Sequence, residues 1–230
     1  MIAIIGAMEV EIATIKATMQ DLQSVSHRVR TFYRGTIHGH DVVLVQAGVG
    51  KTNAAVTTSL LIEHFDVDTI VNIGVAGGQN GACHKDLILG REIVYHDVDV
   101  TDYSDYVRGQ IPGQDAAFHA DERLIEQAVS ILAKQDVSYK VGRIASGDQF
   151  VLDSAIVQPI NAVYDDIYAI EMEAAAIAHV ATLYDVPFLI LRSISDVLDD
   201  VTQAEDFYTF LQDAADTAAT FLVSLLDAIQ

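Results

Sequence analysis

The stretch Tyr168-Ala169-Ile170-Glu171-Met172-Glu173 runs an apolar segment into a pair of carboxylates. Residues 174–184 are alanine-rich and read as a helix, broken by Asp185-Val186-Pro187. A second apolar run, Phe188-Leu189-Ile190-Leu191, ends in Arg192-Ser193-Ile194-Ser195-Asp196. This is strand, helix, strand, with acids at the carboxyl end of one strand and Arg plus Asp at the end of the next. In parallel α/β sheets that edge is where ligands bind. The segment therefore points to an α/β enzyme.

The same alternation continues outward. Towards the N-terminus, Ile2–Ile5 reads as a short buried strand and Glu9–Met19 as a helix, from apolar residues at helical spacing. Residues 28–37 and 41–45 read as two strands joined at His38-Gly39-His40, a hairpin signal. Residues 50–65 are helical, and Thr69–Ile73 is a buried strand followed by the turn-like cluster Gly74-Val75-Ala76-Gly77-Gly78. An extended segment is expected over 92–100, a polar loop over 101–119, and a helix over 121–133 capped by Asp121. Residues 139–145 read as a strand, 155–163 as a short helix, and about 203–229 as a long amphipathic helix. No repeat or linker interrupts the series. One domain over residues 1–230 is expected: α/β, with a mixed, mostly parallel central sheet flanked by helices.

Composition narrows the partners. The 230 residues carry 33 acids against 13 Lys plus Arg, a formal charge of −20. Such a field repels nucleic acid and anionic membranes, so neither is an expected partner. A lone cysteine, Cys83, fits a reducing compartment. The N-terminal apolar run is too short for a signal segment and no run reaches transmembrane length, so a cytoplasmic location is expected.

Five predicted strands lead into chemistry: to Glu9 and Glu11, to the glycine cluster, to Gly147 and Phe150, to Glu171 and Glu173, and to Arg192 and Asp196. In a mostly parallel sheet these loops would meet along one edge. Each has a bland reading as well, since a Glu in a first helical turn is favoured by the helix dipole. Gly48-Val49-Gly50-Lys51-Thr52 is not a P-loop, because position 45 is Val where the motif needs Gly. Residues 73–78 are out of register for GxGxxG. His38 with His40, Cys83 with His84, and His96 with Asp97 and Asp99 lack a zinc ligand count, so neither a metal nor another cofactor is expected. Paired carboxylates in different environments can split acid and base roles, as hydrolysis at an anomeric carbon requires. Phe150 offers a ring for stacking on a flat leaving group. The residues alone thus point to cleavage of a glycosyl or N-ribosyl bond, with the substrate left open.

Six stretches carry a resemblance: Gly6-Ala7-Met8-Glu9-Val10-Glu11, Gly74-Val75-Ala76-Gly77-Gly78, His96-Asp97-Val98-Asp99-Val100-Thr101, Ser146-Gly147-Asp148-Gln149-Phe150, Glu171-Met172-Glu173-Ala174 and Arg192-Ser193-Ile194-Ser195-Asp196-Val197. In order and spacing, over essentially the whole chain, they resemble the 5′-methylthioadenosine/S-adenosylhomocysteine nucleosidases of the purine nucleoside phosphorylase superfamily. The resemblance implies that Glu11 activates water with Arg192 nearby to hold it, that Asp196 donates a proton to adenine N7, and that Glu173 binds the ribose hydroxyls. It implies Phe150 and the Val151 backbone at the base, with Gly77, Ala76 and Ser195 in the substrate pocket. Met172 packs on the sugar, and Met8, Val49 and Phe207 wall the 5′-thio group. Val100, Tyr103 and Pro112 would complete the pocket of a neighbouring copy, which implies a homodimer. Val75 departs from the family, which commonly has Ser there to orient water. Gln149 replaces a small residue, and Val49 is a shortened wall. A phosphorylase would use phosphate instead, which Glu9 and Glu11 repel. A binding module without catalysis would not need both Glu11 and Asp196.

Overall fold

The computed structural model describes residues 1–103, 105–135 and 137–228. In chain order the elements are β1 (Ile2–Gly6), α1 (Glu9–Thr18), β2 (Gln20–His27), β3 (Arg30–Ile37), β4 (His40–Gln46), α2 (Lys51–His64), β5 (Thr69–Gly78), β6 (Leu87–Tyr95) and β7 (Phe118–His119). There follow α3 (Glu122–Leu132), β8 (Tyr139–Ser146), a 3-10 turn (Ser154–Ile156), α4 (Gln158–Asn161), β9 (Ile167–Glu171), α5 (Ala174–Leu183), β10 (Phe188–Val197) and α6 (Gln203–Ala228). The expected end of the last helix, Ile229, lies outside the described residues. Among the described residues no helix is long and apolar enough to cross a membrane.

The sheet is mixed, and its topology sets the site. β1, β4, β5 and β10 run one way, linked by parallel ladders. β6, β8 and β9 are parallel to each other but antiparallel to that group, through β10–β6 and β5–β9. The pairings β5–β10–β6–β8–β9–β5 close a ring. β1, β4, β3 and β2 extend the sheet beyond it. The functional loops therefore do not meet along the edge of a one-way sheet. β5 and β9 approach head-on and overlap only at Gly77↔Ile170 and Gly78↔Ala169, so their carboxyl ends face each other.

Local chemistry explains the elements. Ala3–Ile5 and Val42–Val45 are wholly buried, as unbroken apolar runs in strands covered on both faces should be. The small side chains of α5 allow close packing, and Ala174, Ala175, Ala176, Ala178 and Ala181 are all buried where the helix packs on α2. α6 packs on α1, β10 and β5. Asp121 caps α3, accepting from the backbone of Arg123 (2.9 Å) and Leu124 (3.3 Å).

Several boundaries differ from the sequence reading. β2, whose residues are mostly exposed, was not anticipated, because a polar edge strand carries no burial pattern. β6 lies at 87–95 rather than 92–100; Gly90-Arg91 resembles a break but is a bulge inside the strand. The loop over 101–119 ends in the two-residue β7. Helix 155–163 is a 3-10 turn followed by one turn of α4, with a Pro at its start. β5 and β10 both run further than expected, β5 through the glycine cluster Gly74–Gly78 and β10 beyond Leu191 through Arg192–Asp196.

Candidate active site

Glu11 sits in the first turn of α1, and its carboxylate accepts from the backbone N–H of Ala7 (2.7 Å), Met8 (2.9 Å) and Val75 (3.1 Å). Oε2 thus caps its own helix while Oε1 reaches β5. Gly74 makes that approach possible, because a Cβ there would stand 2.7 Å from Glu11 Oε1. The glycine belongs to a strand and clears space for a carboxylate; it does not make a turn. Burial drives the Glu11 pKa up, partly offset by the Arg192 charge and the three backbone donors.

α5 begins differently. Its free N–H groups are taken by Glu171, which accepts from Glu173 N (3.0 Å) and Ala174 N (2.9 Å), and by Ser146 Oγ, which accepts from Ala175 N (2.7 Å). Glu171 is therefore the helix-capping carboxylate, and Glu173 is released from that duty. Glu173 Oε1 instead accepts from Gly50 N (2.7 Å) at the start of α2. Gly50 has φ +96°, a conformation glycine adopts freely, and this turn aims its N–H at the carboxylate. Burial first, then the negative charge of Glu171, pushes the Glu173 pKa up to about 8.

Glu11, Glu171, Glu173 and Asp196 all line one cavity. Ala7, Met8, Val49, Val75, Ala76, Gly77, Phe150, Ile170, Met172, Ser195 and Phe207 complete the wall. The side chains of residues 11 and 196 thus share a chamber, although they come from opposite ends of the chain. Asp196 accepts from Ser195 Oγ (2.6 Å) and Gln203 Nε2 (2.8 Å). Phe150 and Phe207 meet edge to face with centroids 5.1 Å apart. Lys51 Nζ to Asp97 (2.6 Å), with Asp148 N to Asp97 (3.0 Å) and Lys51 N to Asp148 (2.7 Å), fastens the loop bearing Val49 to the loop bearing Phe150.

A family model described as the phosphorylase superfamily matches residues 1–227. A 5′-methylthioadenosine/S-adenosylhomocysteine nucleosidase of Anoxybacillus flavithermus is 42% identical over 93% of this chain and 92% of its own. One from Marinomonas is 38% identical over 98% and 97%. The solved structure of the Neisseria meningitidis enzyme, in complex with methylthio-immucillin-A, superposes with a TM-score of 0.94 at 37% identity, over 99% of both chains. The chain belongs to the 5′-methylthioadenosine/S-adenosylhomocysteine nucleosidase family, within the phosphorylase superfamily.

In this nucleosidase-family chain, eleven of the expected site residues line the cavity: Glu11, Asp196, Gly77, Ala76, Phe150, Met172, Glu173, Met8, Val49, Ser195 and Phe207. The others lie elsewhere. Arg192 is buried behind the cavity, donating to Glu171 (2.6 Å), Asn72 Oδ1 (2.7 Å) and the Leu191 carbonyl (3.0 Å). It acts on Glu11 through charge rather than by a hydrogen bond. Val151 is buried, and its carbonyl accepts from Gln203 Nε2 (2.9 Å). Val100, Tyr103 and Pro112 do not line this chain's cavity, and Tyr103 is 87% exposed. The sequence reading gave no role to Ala7, Ile170 or Gln203, and none to Glu171 beyond its carboxylate. The paired acids Glu171 and Glu173 were the available signal for Glu171; nothing in the local pattern marks Gln203. Among the described residues no three His, Cys, Asp or Glu side chains group as metal ligands.

Proposed function

We propose that the chain hydrolyses the N-ribosyl bond of 5′-methylthioadenosine and S-adenosylhomocysteine, and also of 5′-deoxyadenosine, releasing adenine and the ribose fragment. The observation that carries this reading is the shared chamber of Glu11 and Asp196 beside Phe150. Adenine leaves readily only when N7 is protonated, and Asp196 is the acid that gives the proton. Glu11, whose basicity is raised by burial, takes a proton from the attacking water. Its own ligands are backbone amides, so it is oriented before substrate arrives. Burial and the charge of Glu171 favour the protonated form of Glu173, whose carboxyl can then donate to one ribose hydroxyl and accept from another. Phe150 stacks on the base, and Met8, Val49, Met172 and Phe207 take the sugar and the 5′-thio substituent. Val75 lines the cavity with no hydroxyl to offer, and water orientation rests on Glu11.

Phosphorolysis fits the cavity less well. Among the described residues its lining holds no Lys or Arg, and the Arg192 guanidinium lies behind the lining, bonded to Glu171, Asn72 and Leu191. An anionic co-substrate would face carboxylates without a counter-cation. The whole chain, residues 1–230, serves as one nucleosidase domain, with no cofactor. Exposed Tyr103, with Val100 and Pro112, completes the pocket of a second copy in a homodimer. The setting is the cytoplasm, where the reaction serves methionine salvage and recycling of the methyl cycle.

Release of adenine in phosphate-free buffer is the test of activity. Strict dependence on phosphate overturns hydrolysis. Asp196→Asn is expected to bind nucleoside yet lose about 10²–10⁴-fold in rate; an undiminished rate removes Asp196 as the acid.

A further inference from the structure

Gln203 opens α6 and is 2% exposed. Its amide nitrogen donates to Asp196 Oδ2 (2.8 Å) and to the Val151 carbonyl (2.9 Å). A Cβ built on Gly77, a cavity-wall residue, would stand 3.2 Å from Asp196 Oδ2 and 3.8 Å from Gln203 Nε2, so the amide lies against the wall of the chamber. An NH2 group bridging a carboxylate oxygen and a backbone carbonyl beside Phe150 is the arrangement a 6-aminopurine would make with its exocyclic amine.

Two further observations bear on how firmly the amide is held. Gln203 Oε1 is buried without a hydrogen-bond partner, a costly position for an acceptor. Gln203 is also the one buried side chain of α6 before Ala214. Val201 is fully exposed and Tyr208 80% exposed. The start of α6 is thus held by Gln203, whose amide is satisfied at one end only, together with Phe207 against Phe150 and Asp206 beside His84.

We propose that Gln203 is an intramolecular stand-in for the adenine amine, which an incoming base must displace. The inference rests on the assignment of Asp196 and Val151 to the base. Displacement exchanges an amide that satisfies only one of its two ends for a purine that satisfies the same acceptors. The exchange lets go of the first turn of α6 and so moves Phe207, which touches Phe150. Base affinity is therefore set below what the pocket alone would give, because part of the binding free energy goes into removing the stand-in.

The test is calorimetric binding of free adenine to the full-length wild type, Gln203→Ala and Gln203→Met, the last keeping side-chain length without the donor. Both variants are expected to bind adenine more tightly, by on the order of tenfold. In wild type, the Gln203 side-chain amide protons, assigned by their absence from the Gln203→Met spectrum, should be protected from exchange and lose protection when adenine is added. If the residue only steadies Asp196, the variants bind more weakly and protection persists with adenine; either result overturns the stand-in while leaving the nucleosidase reading intact. Failure of all three proteins to bind adenine overturns both.

Discussion

Arg192→Met tests how one buried cation governs a chamber of acids. The guanidinium is 1% exposed and is ion-paired to Glu171 at 2.6 Å, with Asn72 Oδ1 at 2.7 Å. Its charge also holds down the pKa of both Glu11 and Glu173. Methionine retains the apolar stem and removes the charge, leaving Glu171 buried without its partner. Breaking a buried pair from one side costs about 3–5 kcal/mol. For a chain of this size that is a fall in Tm of roughly 6–20 °C. The pH dependence carries the sharper information. Losing Arg192 raises Glu11 and Glu173 further above their unfolded values. A carboxyl with a raised folded pKa contributes stability below its unfolded pKa and loses it as pH rises through the folded one. The deficit relative to wild type should therefore be larger at pH 8 than at pH 5, read by urea denaturation at both. Activity should show the same cause: under the proposed mechanism Glu11 acts in its ionised form, so the acid limb of kcat/KM moves to higher pH. A deficit under about 1 kcal/mol, or one equal at the two pH values, refutes the view of Arg192 as the counter-charge of the site.

Glu173→Gln removes a group raised from 4.5 to about 8. Between those values the folded wild type keeps a proton that the unfolded chain releases, so its stability declines across that window. The variant should lose this decline and gain on wild type by a few kcal/mol on going from pH 5 to pH 8; parallel denaturation curves across that range would contradict the assignment. Val75→Ser places a hydroxyl on the cavity wall above the N–H that already serves Glu11. Turnover is expected to rise about two- to tenfold with little change in KM; steady-state kinetics showing no gain would mean that water is already fully oriented by Glu11. Sizing the purified protein in solution checks the homodimer, and a stable monomer with full activity would leave Val100, Tyr103 and Pro112 without a part in the site.

The alternation of strands and helices, and the acids placed at strand ends, were legible in the sequence. Apolar runs such as Ile2–Ile5 and Phe188–Leu191, and the alanines of α5, impose their local geometry through burial and packing. Glu11, Glu173, Asp196 and Phe150 stood out because carboxylates and a ring at such positions suit few tasks. The direction of the strands was not legible: an apolar run does not say which way its neighbour runs, and β6, β8 and β9 oppose β1, β4, β5 and β10. Likewise, residues 74–78 read as a turn because glycine suggests one, yet Gly74 is a strand residue making way for Glu11. The partners of Arg192, the capping by Glu171 and the hold of Gln203 on Asp196 and Val151 were decided by the tertiary structure alone. Glu11 meets Val75 across 64 residues, Gly50 meets Glu173 across 123, and Gln203 meets Val151 across 52. Hydrogen bonds of that range depend on how closed the sheet is and where its ends fall, and local pattern carries no record of either.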